Sequence, residues 1–273
     1  MVITVIGYVL AALVGISLGL IGGGGSILAT PILIYVMGVP PQSAIAMSLI
    51  IVGAVSLVGI LPHWRQGNID FKTAALFAPA AMVGAYLGAR IATLPIVTPT
   101  FQLISFAVMM LVASFFMIRK SSRSIQSIPE ETLKPSSTKS SDHAGSTKSS
   151  DHAGIPRWLA IPSEGLGVGA LTGFVGIGGG FMVIPALVLL GGMPMKQAVG
   201  TSLVIIALKS VTGFAGYLGR VPVDVPLMVT FTIVANIGMI LGAYLTRFIE
   251  AKQLEKGFGY FTIAVAIFIL IKR

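Results

Sequence analysis

The chain of 273 residues contains no cysteine, and only 10% of its residues are charged. Soluble domains carry about 25% charged residues, so this composition excludes a soluble globular protein. The absence of cysteine also excludes disulfide bonds, thiolate metal ligands and a cysteine nucleophile. The chain is instead apolar, with 55% hydrophobic residues arranged in long runs that are separated by short polar breaks. This pattern predicts an all-α integral membrane protein whose backbone polar groups are satisfied inside helices.

Ten apolar segments, five on each side of a polar stretch, organise the chain. Their predicted bounds are 2–21, 26–38, 42–62, 71–93, 100–118, 164–176, 181–192, 197–218, 225–248 and 257–271. The polar stretch at 121–156 is rich in Ser, Thr, Lys and Pro, which predicts a disordered linker between a membrane repeat at 1–120 and a second at 157–273. Within the linker a nonapeptide occurs twice in succession, and we interpret it as replication slippage and not as a metal site.

The excess of basic residues does not indicate nucleic-acid binding. The formal net charge is +9, but nearly all of the 18 Lys and Arg residues lie at segment ends or in and beside the linker. Such placement is typical of charges that fix orientation in a membrane, with the basic loops on the cytoplasmic side. We therefore expect a multi-pass protein of the cell (inner) membrane. The partners expected are the lipid bilayer and a small anionic substrate, and no nucleic acid.

An internal repeat relates the two halves at a constant offset of 154 residues. Matching residues are Gly15 with Gly169, Gly19 with Gly173, Gly22 with Gly176, Gly24 with Gly178, Gly25 with Gly179, Pro31 with Pro185, Pro40 with Pro194 and Asp70 with Asp224. Glycines, prolines and an aspartate in one ungapped register indicate a duplicated module. An odd number of crossings in each half would invert the second half, so we predict a pseudo-two-fold axis in the membrane plane. A hairpin that amounts to a single crossing would instead give parallel repeats.

Two segments in corresponding positions are too short to cross the bilayer comfortably. Residues 26–38 and 181–192 reach roughly 20 Å as helices, against a hydrocarbon core of about 30 Å. Glycine clusters at 22–25 and 176–180 precede them, and glycine does not stay helical without cost. The segment before the second cluster is also predicted to be short, with Ser163 as its N-cap. Paired, glycine-interrupted short segments near the midplane indicate the substrate site of a secondary transporter.

The chemistry of these breaks favours a small anion. Helices that begin near Ser26 and Phe181 aim free N–H groups and the positive end of the helix dipole at the glycine turn. The alternative is that the glycines only permit tight helix packing, a role that we assign to the pairs Gly84/Gly88 and Gly238/Gly242. The residues predicted to bind substrate are Gly22, Gly23, Gly24, Gly25, Ser26, Gly176, Gly178, Gly179, Gly180, Ser48, Ser202 and Lys209.

Lys209 is the one Lys, Arg, Asp or Glu near the middle of an apolar segment, and its counterpart in the first half is Val55. An ionisable group at that depth is a functional candidate by default. Because no acidic residue lies at comparable depth, the substrate is the expected counter-ion. The alternative is that Lys209 snorkels toward an interface or caps helix carbonyls. Asp70 and Asp224 are predicted to be helix N-caps.

The glycine motifs resemble those of the TauE/SafE family of sulfite exporters. The residues that carry the resemblance are Gly15, Gly19, Gly22, Gly24, Gly25, Pro31, Pro40, Ala44 and Ser48, with their counterparts in the second half. The resemblance covers both halves and leaves out only the linker. It implies a carrier that exports or takes up sulfite, organosulfonates or other small sulfur-containing or carboxylate anions.

The predicted function is secondary transport of a small anion, without a cofactor. No GxxxxGK[ST] motif follows either glycine cluster, so nucleotide-driven pumping is not expected. A passive anion channel stays open as an alternative. An intramembrane enzyme is less favoured because there is no HExxH pair, and because His63, His143 and His152 are predicted to lie in loops. The direction of transport, the coupling ion and the assembly, monomer or homodimer, stay open.

Overall fold

The computed structural model describes residues 2–94, 97–123, 157–175 and 180–272, which are mostly helical. Its helices are α1 Val2–Ile21, α2 Gly24–Tyr35, α3 Pro41–Arg65, α4 Phe71–Ala92, α5 Pro99–Arg123, α6 Arg157–Val175, α7 Gly180–Pro185 with a π-helical continuation Ala186–Leu190, α8 Met195–Tyr217, α9 Val225–Leu245 and α10 Ala251–Lys272. Four of them, α3, α4, α8 and α9, are long and apolar enough to cross a membrane. The predicted class, a helical membrane protein, agrees with this architecture. The linker predicted at 121–156 begins within α5 and otherwise lies outside the described residues.

Two aspartates begin equivalent helices, as predicted. The Asp70 carboxylate accepts hydrogen bonds from the backbone N–H groups of Lys72 and Thr73, at 3.0 and 3.2 Å, at the start of α4. The Asp224 carboxylate accepts the N–H of Leu227 at 3.0 Å, at the start of α9. Burial opposes ionisation of Asp70, but hydrogen bonds from Thr73 and Lys72 outweigh it and hold the pKa of its carboxyl below the ordinary value. The cap therefore stabilises the fold at neutral pH, and this contribution is lost as the pH falls through that lowered pKa.

Glycines spaced four apart bring α1 against α9. Gly15 of α1 lies against Ala235, and Gly19 lies against Ala243, while Gly242 of α9 faces Ile16. Contacting positions rise along both helices together, so α1 and α9 run parallel. A methyl group at any of these glycines would meet the backbone of the neighbouring helix, and close approach of backbones is how small residues stabilise helix pairs in membranes.

The same arrangement joins α4 to α6. Gly84 and Gly88 of α4 lie against Ala170, and Gly173 of α6 lies against Ala85. These two helices also run parallel. The packing role predicted for the pairs Gly84/Gly88 and Gly238/Gly242 is confirmed. The structure adds Gly15, Gly19, Gly169 and Gly173 to the packing glycines.

Helices α3 and α8 cross in the opposite sense. Gly53 of α3 lies against Ser210, whereas Gly59, farther along α3, lies against Leu203. The residue numbers of the contacting residues decrease along α8 as they increase along α3, so the two helices run antiparallel. Short turns then place the ends of α1, α3 and α9 together with the starts of α4, α6, α8 and α10. We call this the linker end of the bundle, and its basic side chains include Arg65, Lys72, Lys196 and Arg247.

Helix α6 is longer than predicted. It begins at Arg157 and runs through Pro162 to Val175, a length of 19 residues, so the expectation of a short helix capped by Ser163 was wrong. A proline near the start of a helix removes only one backbone hydrogen bond. The close contact of Gly165 with Phe77 of α4 holds this part of α6 in the bundle. A break marked by Pro-Ser in sequence is therefore overridden by packing.

Candidate functional site

The first glycine cluster makes a turn of two residues between α1 and α2. Gly22 has a positive φ of 72°, and its N–H donates to the carbonyl of Leu18 at 2.7 Å. Helix α2 begins at Gly24, so Gly24 and Gly25 form its first turn. The expectation that the whole cluster stays out of a helix was wrong, because only Gly22 and Gly23 do. The N–H groups of a first helical turn have no acceptor within their own helix and can bind a ligand.

The starts of α2 and α7 meet inside the bundle. A Cβ placed on Gly180, the first residue of α7, would lie 3.1 Å from the Ser26 hydroxyl oxygen and 3.2 Å from the Cα of Gly23. It would also lie 2.7 Å from Ile206 of α8. Ser26 is fully buried and its hydroxyl donates to the Gly23 carbonyl at 2.7 Å. We call Gly23, Ser26 and Gly180 the crossing point. The structure thus brings together three of the predicted site residues.

Ser202 lies on one flank of the crossing point. A Cβ on Gly22 would lie 2.7 Å from the Ser202 hydroxyl oxygen and 3.1 Å from the Cδ1 of Ile184. Ser202 is buried, and its hydroxyl donates to the carbonyl of Val199 at 2.7 Å. No side chain fits at Gly22, so the turn packs closely against Ile184 of α7 and Ser202 of α8.

Ser48 lies elsewhere in the interior and has a partner that the sequence analysis did not name. The Thr30 hydroxyl donates to the Ser48 hydroxyl oxygen at 2.9 Å, and Ser48 donates to the carbonyl of Ile45 at 2.8 Å. Thr30 and Ser48 are both fully buried. The signal for Thr30 was present, because it follows Ser26 by four residues and therefore shares its face of α2.

Gly25 has a packing role. A Cβ on Gly25 would meet α1, at 2.7 Å from the Cβ of Leu18 and in contact with the carbonyl of Val14. This glycine therefore lets α2 approach α1, and its contact with substrate stays a prediction. The remaining predicted site residues Gly176, Gly178 and Gly179 lie outside the described residues.

Lys209 is buried in the middle of α8, with 2% of its surface exposed. Its ammonium group donates to the Thr172 hydroxyl at 3.0 Å, and Thr172 donates to the carbonyl of Gly169 at 3.1 Å. Lys209 therefore does not snorkel to an interface, which the sequence had left open. Thr172 precedes the second glycine cluster by one helical turn, and Lys209 follows Ile206 by one turn. Lys209 therefore shares a face of α8 with Ile206, which lies against Gly180 of the crossing point.

The equivalent of this polar pair in the first half is apolar. At the offset of 154 residues, Lys209 corresponds to Val55 and Thr172 corresponds to Leu18. Val55 and Leu18 are both buried and belong to one hydrophobic cluster.

His63 is a candidate that the sequence analysis missed. It was predicted to lie in a loop, but α3 continues past Pro62, and His63 sits fully buried in its last turn. Its Nε2 lies 3.1 Å from the carbonyl oxygen of Gly19, which also accepts the Thr246 hydroxyl at 3.0 Å. The prediction failed because the apolar pattern ends near residue 62, whereas the helix is extended by contacts with α1 and α9.

The contact made by His63 has a counterpart in the second half. Tyr217, which lies 154 residues after His63, donates its hydroxyl to the carbonyl of Gly173 at 3.3 Å. Gly173 in turn corresponds to Gly19. A side-chain donor from the end of a long helix thus holds the same carbonyl in each half.

The arrangement offers hydrogen-bond donors to a ligand. The first-turn amides and the ammonium group of Lys209 can donate to an anion, and charge-assisted bonds of this kind are the strong ones. The Ser26, Ser48 and Ser202 hydroxyls already donate to backbone carbonyls. Within the described ranges, no group of three or more His, Asp or Glu side chains could hold a metal ion.

Comparison with known proteins adds to this picture. The family described as sulfite exporter TauE/SafE matches residues 8–269. A probable membrane transporter protein of Xylella fastidiosa (strain 9a5c) is 33% identical over 261 residues, covering 94% of this chain and 91% of that protein. The probable membrane transporter proteins YdhB and YunE of Bacillus subtilis (strain 168) are 26% and 29% identical, covering 95% and 92% of this chain and 96% and 91% of their own. No solved structure matches the chain.

Proposed function

Because the chain belongs to the sulfite exporter TauE/SafE family of membrane transporters, we propose that it is a secondary carrier of small anions such as sulfite or organosulfonates. The observation that carries the proposal is the crossing point, where the starts of α2 and α7 meet at Gly23, Ser26 and Gly180. Short helices that begin at glycine breaks aim their positive ends and free amides at a bound anion. The proposed location is the cell membrane, which the chain crosses several times.

The proposed role of Lys209 is to supply the charge that an anion meets in the interior. The ammonium group lies buried against the Thr172 hydroxyl, and a positive charge attracts an anion more strongly in an apolar interior than in water. An anion bound at the crossing point would be stabilised by that charge. The residues at the equivalent positions, Val55 and Leu18, are apolar and packed in one hydrophobic cluster. Because packing at these positions does not need a charge, the charge of Lys209 supports a functional role.

The proposed architecture is a pair of inverted repeats. Helices α3 and α8 correspond at the offset of 154 residues and run antiparallel, as a pseudo-two-fold axis in the membrane plane requires. At the same offset α1 corresponds to α6, and α9 corresponds to α4. The α1–α9 pair therefore corresponds to the α6–α4 pair, and the helices of each pair run parallel. The contacts of His63 with Gly19 and of Tyr217 with Gly173 follow the exchange as well.

This architecture predicts that equivalent positions face opposite sides of the membrane. Trp64 and Leu218 are equivalent, lie at the ends of α3 and α8 and are 59% and 66% exposed. The natural chain has no cysteine, so Trp64→Cys and Leu218→Cys each introduce a single thiol. A membrane-impermeant maleimide applied to intact cells should label Leu218→Cys, and should label Trp64→Cys only after the cells are opened, since basic loops stay inside. Labelling of both thiols from one side would exclude inversion.

Transport itself is tested in liposomes that contain the purified protein. We expect saturable uptake of at least one anion from a panel of sulfite, sulfate, methanesulfonate and acetate, roughly tenfold or more above protein-free liposomes. Unlabelled anion inside should accelerate uptake, because a carrier exchanges its substrate across the membrane. Flux that neither saturates nor shows counterflow would favour a passive channel. Chemical conversion of the anion would favour an enzyme, and absence of flux for the whole panel would contradict anion transport.

A further inference from the structure

We propose that His63 is the proton site of this carrier, so that a proton on its imidazole and an anion bound near the glycine turn each favour binding of the other. The inference rests on the proposed anion transport and adds the coupling ion to it. It gives a role to the Nδ1 atom of His63, which the contact of Nε2 with Gly19 does not involve.

The hydrogen bonding of the ring leaves one nitrogen available. Because a carbonyl can only accept, the contact of Nε2 with the Gly19 oxygen at 3.1 Å places a hydrogen on Nε2 of the neutral ring. Nδ1 is buried and has no hydrogen-bond partner among the described residues. Buried polar atoms in folded proteins are nearly always paired, so an orphan of this kind calls for an explanation. Taking up a proton would turn Nδ1 from an unpaired acceptor into a donor.

The imidazole is close enough to the glycine turn to interact with a bound anion. Its partner Gly19 precedes Gly22 by three residues, which corresponds to about 5 Å along α1. The Gly22 turn leads directly into the first turn of α2, whose amides are proposed to bind the anion. Charges separated by such distances in a buried environment are only weakly screened, so a cationic ring and an anion stabilise each other.

Several charged groups at this end of the bundle are in contact with solvent. They include Arg65 on α3, Asp70 and Lys72 at the start of α4, Lys196 at the start of α8, Arg247 and Glu250 after α9, and Lys256 on α10, each partly or largely exposed. The elements that contact the His63 side chain or share its acceptor contribute neutral groups, namely the Gly19 carbonyl of α1 and the Thr246 hydroxyl beyond α9. The Asp70 carboxylate is occupied by Thr73 and the Lys72 amide.

Comparison of His63 with Tyr217 distinguishes the structural role of this hydrogen bond from the proposed role in proton binding. Tyr217 makes the corresponding hydrogen bond to Gly173, so a donor at this position is needed in both halves for packing. Of the two donors, only an imidazole changes its charge in the range of about pH 5 to 8. A tyrosine or an amide in place of His63 should therefore keep the hydrogen bond and lose the proton.

The test measures anion binding as a function of pH on the full-length protein. His143→Gln and His152→Gln are introduced first, because they leave His63 as the one imidazole among the three histidines of the chain. Methanesulfonate is the probe, since it stays ionised from about pH 5 to 8 while histidine titrates. We expect its affinity to fall up to about tenfold per pH unit as His63 loses its proton, and we expect the midpoint of the His63 NMR titration to move to higher pH when the anion is present.

Two variants provide the comparison. His63→Gln and His63→Tyr should bind the anion with an affinity that changes less than about twofold over the same range. Lys209→Arg is introduced into the parent and into both His63 variants, because a guanidinium stays charged over this range and any pH dependence that remains then comes from His63. An unchanged slope in both His63 variants would overturn the proton site and leave anion transport standing. If neither variant folds, the proton site would be overturned by a His63 NMR titration whose midpoint is the same with and without the anion. If no anion binds to the parent protein, both proposals would be overturned.

Discussion

Replacing Gly22 by alanine should lower the rate of anion counterflow about a hundredfold. The residue has a φ of 72°, which costs an alanine of the order of 1–2 kcal/mol. The added methyl group would also lie 2.7 Å from the Ser202 hydroxyl oxygen. Relief of that contact must move either the turn or α8, and loss of one charge-assisted hydrogen bond to the anion, about 1.5–3 kcal/mol, is enough for the expected effect. The rate is measured in liposomes and normalised to the amount of inserted protein.

A matched control separates strain from occupancy of the site. Gly38, in the turn between α2 and α3, has the same φ of 72° but has no atom within 4 Å of an added Cβ. Gly38→Ala therefore carries the same backbone cost without entering the interior, and its counterflow rate should stay within about threefold of the natural protein. Equal rates for Gly22→Ala and Gly38→Ala would show that the turn at Gly22 does not border the anion.

Converting the polar pair of the second half into its apolar counterpart should weaken anion binding and preserve the fold. The double variant Lys209→Val with Thr172→Leu copies Val55 and Leu18 at the equivalent positions. We expect the dissociation constant of the transported anion to rise roughly 10-fold to 100-fold, because one charged donor is lost. The melting temperature should stay the same or rise, since replacing buried charged groups by packed apolar ones is often neutral or stabilising. Calorimetric titration and thermal unfolding of the purified protein measure the two quantities.

The single variants control for packing. Thr172→Leu alone removes the hydroxyl that Lys209 contacts and should lower the melting temperature, because the ammonium group stays buried. Lys209→Met alone removes the charge at similar length and should weaken binding as much as the double variant does. An unchanged dissociation constant in Lys209→Met would show that Lys209 serves the structure only.

The sequence was informative where a residue type limits the backbone. The break after α1 could be predicted because Gly22 supplies a positive φ and glycines favour the end of a helix, and the starts of α4 and α9 could be predicted from Asp70 and Asp224. The packing of Gly84 and Gly88 could also be predicted, because a spacing of four places small residues on one face. These features depend on local geometry, which a single sequence contains.

The sequence was uninformative where a partner decides the outcome. Helix α6 continues through Pro162 because α4 supports it at Gly165, and Gly25 faces α1 for a reason that no local pattern contains. His63 is buried because α3 extends into contact with Gly19, which is distant in sequence. Lys209 could be placed at the right depth from its apolar surroundings, but its partner Thr172 depends on how α8 meets α6. Hydrophobic patterns indicate how deep a residue lies and not which neighbour it faces.

The central claim is that a small anion binds in the interior next to the Gly22 turn, where α2 and α7 begin. Titration calorimetry of the transported anion on four purified proteins tests it most directly: the natural chain, Gly22→Ala, Gly38→Ala and the Lys209→Val, Thr172→Leu variant. We predict equal affinities for the natural chain and Gly38→Ala, a dissociation constant raised roughly 10-fold to 100-fold in the double variant, and one raised about a hundredfold in Gly22→Ala. Equal affinities for all four folded proteins would place the binding site elsewhere and contradict the claim.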